Sequence, residues 1–163
     1  MPSDTLTTLA ILVGAKLKAK GLVLATAESC TGGWVAQAIT AISGSSEWFD
    51  RGFVTYSNAA KQEMLGVMTQ TILEWGAVSE QTAREMASGA LAHSRAQVAV
   101  AITGVAGPGG GTPDKPVGTV CFSWSMGKDV VIAETRHFSG DRESVRRQSV
   151  ICALQGVLER LER

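Results

Sequence analysis

The stretch Thr26-Ala27-Glu28-Ser29-Cys30-Thr31-Gly32-Gly33 places a carboxylate, two hydroxyls and a thiol on four consecutive residues, Glu28 to Thr31. The apolar run Leu22-Val23-Leu24-Ala25 precedes it, and a helical pattern from Trp34 to Ile42 follows. A strand that hands over to a helix through small residues presents backbone N–H groups at the positive end of that helix. Such a corner suits an anion or a reactive side chain.

A serine becomes a nucleophile when a neighbouring amine is unprotonated, and a lysine amine loses its proton more readily once desolvated. Lys61 is the candidate base, on a helix that follows the strand end Tyr56-Ser57-Asn58. Ser29 and Ser46 are its two possible hydroxyl partners, and Tyr56 is placed to relay a proton or to hold the amine. Cys30 is a rival nucleophile, because a helix N-terminus lowers a thiol's pKa. His93 and His137 fall near a helix end and in a strand and read as structural, and the ligands for a metal site are lacking.

Two further segments bear on binding. Thr103-Gly104-Val105-Ala106-Gly107-Pro108-Gly109-Gly110-Gly111-Thr112 is neither a Walker A loop, since no Gly-Lys-Ser/Thr follows, nor a dinucleotide fingerprint, since no helix follows. It reads as a backbone surface for a phosphate or a flat ring, with Thr103 at its start; long loops inside compact domains are often functional. Arg142 and Arg146 are four residues apart and share a helix face, where they can grip a phosphate or carboxylate or pair with Asp141 and Glu143.

The elements that must position these groups follow from periodicity. Leu6, Leu9, Ala10, Val13 and Leu17 repeat as one helix face, capped by Ser3 or Asp4 and closed by Gly21. Leu22–Ala27, Phe53–Ser57 and Gln97–Ile102 read as strands. Helices are expected from about Thr31 to Ile42, from Asn58 to Leu65, from Thr69 to Trp75 and from Ser79 to about His93. Val117–Met126 and Val130–Phe138 form a hairpin about a turn at Gly127-Lys128-Asp129, and a last helix carries Val145, Ile151, Leu154, Val157, Leu158 and Leu161. The expectation is a three-layer α/β/α fold with a mixed, mainly parallel sheet and a C-terminal antiparallel hairpin followed by a helix. In such a fold Thr26–Gly33 and Thr103–Pro116 share one rim, where ligands gather.

With 163 residues and 45% hydrophobic side chains the chain reads as one domain, 1–163, with a sizeable core. Fifteen basic and fifteen acidic residues cancel, so bulk charge gives no reason to bind nucleic acid or an anionic membrane. No apolar run approaches the roughly 20 residues of a membrane span. Met1-Pro2-Ser3-Asp4 lacks a signal peptide's basic start, and three scattered cysteines suit reduced thiols, so a cytoplasmic location is expected. The last helix or the antiparallel edge offers a surface for a homo-oligomer, with a dimer possible.

Taken together, Ala27-Glu28-Ser29-Cys30-Thr31-Gly32-Gly33, Gly52-Phe53-Val54-Thr55-Tyr56-Ser57-Asn58 with Lys61, Thr103-Gly104-Val105-Ala106-Gly107-Pro108 with Gly110-Gly111-Thr112, and Lys115-Pro116-Val117-Gly118-Thr119-Val120 closely resemble the CinA C-terminal domain family. The resemblance runs from the first helix through Gly140-Asp141-Arg142 and Arg146. In many members this domain follows a larger N-terminal one; here it is expected to stand alone. The resemblance implies an amidohydrolase of pyridine-nucleotide salvage that converts nicotinamide mononucleotide and water to nicotinic acid mononucleotide and ammonia, by serine and lysine chemistry without metal or organic cofactor. It makes Lys61 the base with Tyr56 beside it and Ser29 or Ser46 the nucleophile. It places Thr103, Gly104 and Arg142 or Arg146 on the substrate, and the N–H groups of Thr31, Gly32 and Gly33 or of the Gly104 loop on the oxyanion or the phosphate. The competing reading is a non-catalytic nucleotide-binding regulatory module of the same fold.

Overall fold

A computed structural model describes residues 4–127 and 130–162. Met1-Pro2-Ser3, with Ser3 as a possible cap, and Lys128 and Asp129 of the expected turn lie outside the described residues.

Five strands form one sheet: β1 (Leu24–Glu28), β2 (Phe49–Val54), β3 (Val98–Gly104), β4 (Thr119–Ser125) and β5 (Val131–His137). Their order is β2-β1-β3-β4-β5, with β1 parallel to both β2 and β3, and β4 and β5 antiparallel to their neighbours. Helices α1 (Thr5–Lys20), α2 (Trp34–Thr40) and α6 (Arg142–Leu161) cover one face; α3 (Asn58–Leu65), α4 (Thr69–Trp75) and α5 (Glu80–Ala92) cover the other. The expected three layers and late hairpin are present. Among the described residues no helix is long and apolar enough to cross a membrane.

The two faces differ in side-chain size, which follows from the strand period of two. Leu24, Val98, Val100, Ile102, Phe122 and Trp124 point into the α1/α6 layer, whereas Ala25, Ala27, Ala99 and Ala101 point toward α5. Small residues let α5 lie close: a Cβ at Gly89 would stand 1.9 Å from the Leu65 carbonyl oxygen at the end of α3. On the large-residue face, Phe122 stacks on Trp124 at 5.7 Å, and the indole rests where a Gly156 Cβ would be, 2.1 Å from Trp124 Cε2. Each fully buried Leu, Ile or Phe contributes about 1.5–3 kcal/mol to this core.

Boundaries shift in two places that matter for the site. The strand expected at Phe53–Ser57 begins at Phe49 and ends at Val54. It is an edge strand paired with β1, and its polar residues are satisfied there: the Asp50 carboxylate accepts from Arg95 N at 2.9 Å and from Arg51 Nε at 2.8 Å, while a Cβ at Gly52 would meet Thr26 Oγ1 at 2.5 Å. The helix expected from Thr31 begins at Trp34, because Gly32 and Gly33 take φ of +59° and +101° and unwind the preceding turn. Ser57 caps α3, its Oγ accepting from Ala60 N at 3.0 Å. Ser79 and Asp141 cap α5 and α6, their side chains accepting from Thr82 N and Ser144 N.

Candidate active site

β1 and β3 run parallel, so the corner after β1 and the glycine loop after β3 open on the same rim, and Ser29 N donates to Ile102 O at 3.0 Å. The strand alternation then sorts two consecutive residues. Glu28 turns toward α2 and Ser29 toward α3. Glu28 is 1% exposed, and its carboxylate accepts from Thr31 Oγ1 at 2.6 Å, Val35 N at 2.9 Å and Ala36 N at 3.1 Å. The helix end expected to hold an anion is therefore occupied from inside by the protein's own carboxylate, which suits its orphan N–H groups and its dipole.

On the other side of the corner, Lys61 reaches up from α3. Lys61 is 2% exposed, and its Nζ donates to Ser29 Oγ at 3.2 Å and to the Thr55 carbonyl at 3.0 Å. Thr55 is in turn fixed by its N–H to the Glu28 carbonyl at 2.8 Å. Burial holds the Lys61 amine below the ordinary lysine value of 10.5, an effect that the charge of Cys30, were it ionised, opposes. Among the described residues no carboxylate is a hydrogen-bond partner of the amine. A desolvated amine against a serine hydroxyl is the arrangement in which lysine can act as a base.

Ser29 opens onto a cleft of about 310 Å³, lined also by Cys30, Tyr56, Gly104, Gly107 and Arg142. Arg142 Nη1 donates to Gly107 O at 2.7 Å and its Nη2 to Tyr56 Oη at 3.0 Å. Arg146, one turn along, lies deeper. Its Nε donates to Cys30 O at 3.0 Å, its Nη2 to Thr31 O at 3.1 Å, and its guanidinium stacks 5.4 Å from the Trp34 ring centroid. The two arginines share a helix face, as expected, but Arg146 fastens the Ser29 corner while Arg142 lines the cleft.

The structure brings Ser29, Lys61, Tyr56, Gly104 and Arg142 to one place and leaves others out. Ser46 is exposed in a 3-10 turn, Ser45–Glu47, just ahead of the start of β2, which is paired with the start of β1. The length of β1, about 16 Å, separates it from Ser29, so Ser46 does not meet Lys61. Tyr56 is 62% exposed and bonded to Arg142, not placed on the lysine amine. Thr103 is buried, its hydroxyl given to Ala77 O at 2.8 Å, and Thr31 is spent on Glu28. Gly32 and Gly33 supply backbone conformation at the corner, and Gly104 lets β4 approach, since a Cβ there would meet Val120 Cγ2 at 2.8 Å.

Cys30 does line the cleft, but the expected lowering of its pKa by a helix end is reversed. Burial, and next the Glu28 carboxylate, push the thiol up to about 12. Among the described residues no three His, Cys, Asp or Glu side chains group so as to hold a metal ion. Sequence reasoning missed the Thr55 and Gly107 carbonyls, which any residue type supplies. It also missed the role of Glu28, whose signal was a carboxylate at a strand end just before a helix start.

The fold and site thus define a three-layer α/β protein with a buried serine–lysine pair under an arginine-lined cleft. The sequence model of the CinA C-terminal domain matches residues 6–161. The chain belongs to the CinA C-terminal domain family. It is 55% identical to the nicotinamide-nucleotide amidohydrolase PncC of Enterobacter agglomerans over 97% of this chain and 96% of that protein, and 54% identical to PncC of Escherichia coli strain K12 over 95% and 94%. Among solved structures, the competence/damage inducible protein CihA of Agrobacterium tumefaciens superposes with a TM-score of 0.94 at 46% identity, covering 100% of this chain and 99% of that one.

Proposed function

We propose that this protein hydrolyses the carboxamide of nicotinamide mononucleotide, giving nicotinic acid mononucleotide and ammonia, as a step of pyridine-nucleotide salvage. The observation that carries the reading is the 3.2 Å contact between Ser29 Oγ and a buried Lys61 Nζ at the floor of a cleft; the PncC relatives supply the substrate class.

With Lys61 neutral, the Ser29 hydroxyl turns its proton toward Nζ and its oxygen attacks the carboxamide carbon. The C–O bond forms, the carbonyl π pair moves to oxygen, and Lys61 takes the proton. The glycine loop, whose Gly104 and Gly107 line the cleft with Ser29, supplies backbone donors to the developing oxyanion. Lys61 then gives its proton to the amide nitrogen, the C–N bond breaks, and ammonia leaves an acyl-serine ester. Water attacks that ester with Lys61 again accepting the proton, and the acid departs as Ser29 regains its hydrogen. The substrate phosphate lies under Arg142, which keeps donors to spare beyond its two protein contacts.

The test is ammonia release from a panel of pyridine nucleotides by the parent protein and by Ser29→Ala, Lys61→Met, Ser46→Ala and Cys30→Ala. Release from the mononucleotide is expected to vanish in the first two variants and persist in the last two. Turnover by Ser29→Ala at the parent rate refutes the assignment.

A further inference from the structure

We infer that Tyr56 is a positioning residue: its hydroxyl, together with the Gly107 carbonyl, holds the Arg142 guanidinium in the wall of the Ser29 cleft and so sets the cleft's preference for a phosphorylated substrate. The inference rests on the reading above for the identity of that substrate.

Tyr56 is an exposed aromatic whose ring is not placed by the core: 62% of it faces solvent. What its hydroxyl does have is Arg142, at 3.0 Å across 86 residues of chain. Arg142 begins α6, and its backbone is pinned there by the Asp141 cap, which accepts from Ser144 N at 2.9 Å. Its side chain is exposed, and a free arginine of this kind samples many rotamers. The two tethers, Gly107 O on the glycine-loop side and Tyr56 Oη on the α3 side, belong to cleft-lining residues and fix the planar fork in the cleft wall. Two donors are engaged, and the others are left in a fixed plane for an anion. Arg146 has no such role, because the Cys30 and Thr31 carbonyls and the Trp34 ring already hold it.

The same extended segment serves both halves of the site. Thr55 turns its carbonyl inward to the Lys61 amine, and the next residue sends its side chain outward to Arg142. Tyr56 therefore acts on binding through Arg142 and does not relay protons for Lys61.

Steady-state kinetics of the parent, Tyr56→Phe, Arg142→Ala and the double variant, with nicotinamide mononucleotide and with nicotinamide riboside, test this. Loss of one hydrogen bond to a charged group is expected to raise KM for the mononucleotide about tenfold in Tyr56→Phe. Its kcat stays within about twofold of the parent, since only binding is altered. For the riboside, which lacks the phosphate, parent and variant behave alike, and adding Tyr56→Phe to Arg142→Ala has no further effect. A fall in kcat with unchanged KM, an equal penalty on the riboside, or additive losses in the double variant overturns the inference. Should the parent release no ammonia from either compound, the amidase reading fails by itself. Calorimetric titration of nicotinamide mononucleotide then decides the role of Tyr56: about tenfold weaker binding to Tyr56→Phe supports it, and equal binding, or none to the parent, overturns it.

Discussion

Lys61 Nζ stands 3.2 Å from Ser29 Oγ across 32 residues of chain, and among the described residues neither group is hydrogen-bonded to a carboxylate. A buried amine so placed is held below 10.5 by desolvation, and this gives the site a pH dependence with a definite sign. On the proposed mechanism the base is the neutral amine, so kcat/KM is expected to rise with pH along an acid limb whose midpoint lies below the ordinary lysine value. A limb at 10.5 contradicts the assignment.

Stability follows the same group. The unfolded lysine holds its proton up to 10.5 while the folded one loses it earlier, so over that window the unfolded state binds more protons and stability rises with pH. The stability associated with a neutral Lys61 is full above 10.5 and is lost as pH falls through the lowered folded value. Urea midpoints of parent and Lys61→Met, compared from neutral pH up to the ordinary lysine value of 10.5, are expected to shift in the parent's favour as pH rises. A constant difference argues that the amine is not desolvated.

Glu28→Gln tests the internal cap of α2. Glutamine keeps one acceptor but turns an NH2 toward a backbone N–H, in a site that is 1% exposed and where the carboxylate accepts three hydrogen bonds. Leaving a buried donor unpaired costs about 2 kcal/mol. For a chain of this length that corresponds to a drop of about 4–8 °C in Tm by calorimetry. An unchanged Tm shows that the α2 end does not need the charge.

Gly156→Ala sets two effects against each other. Alanine gains about 1 kcal/mol of helix propensity over glycine. Its Cβ, however, would fall 2.1 Å from Trp124 Cε2, in a core whose indole also donates to Ala153 O at 3.1 Å and carries Arg160 at 4.6 Å from its centroid. Overpacking of this kind costs about 1–3 kcal/mol, and the ring cannot retreat through Phe122. The expected outcome is net destabilisation by about 1 kcal/mol with a changed near-ultraviolet tryptophan dichroism; a stabilised variant with an unaltered spectrum contradicts the packing.

Much of the architecture is written in the chain. Leu6, Leu9, Ala10, Val13 and Leu17 mark α1 and are all buried, because a helix face at this spacing has one way to leave water. Ser79 and Asp141 mark the starts of α5 and α6, since a side-chain oxygen there meets an orphan N–H whatever the rest of the fold does. Local patterns failed where the partner is distant. Edge strand β2 carries Asp50 and Arg51, whose partners Arg95 N and His93 O lie more than 40 residues on, and periodicity cannot tell an edge from a centre.

The sequence by itself determined which groups capable of chemistry the chain carries and that strands would deliver them to a rim: Ser29 after β1, the glycine loop after β3, Lys61 on the helix following β2. Only the tertiary structure decided which of them meet. Parallel pairing of β1 with β2 puts Thr55 beside Glu28 at the far end of the strands and leaves Ser46 at the near end, so Lys61 finds Ser29. The choice between Glu28 facing α2 and Ser29 facing α3 is likewise a matter of one residue in register, and register is set by the whole sheet.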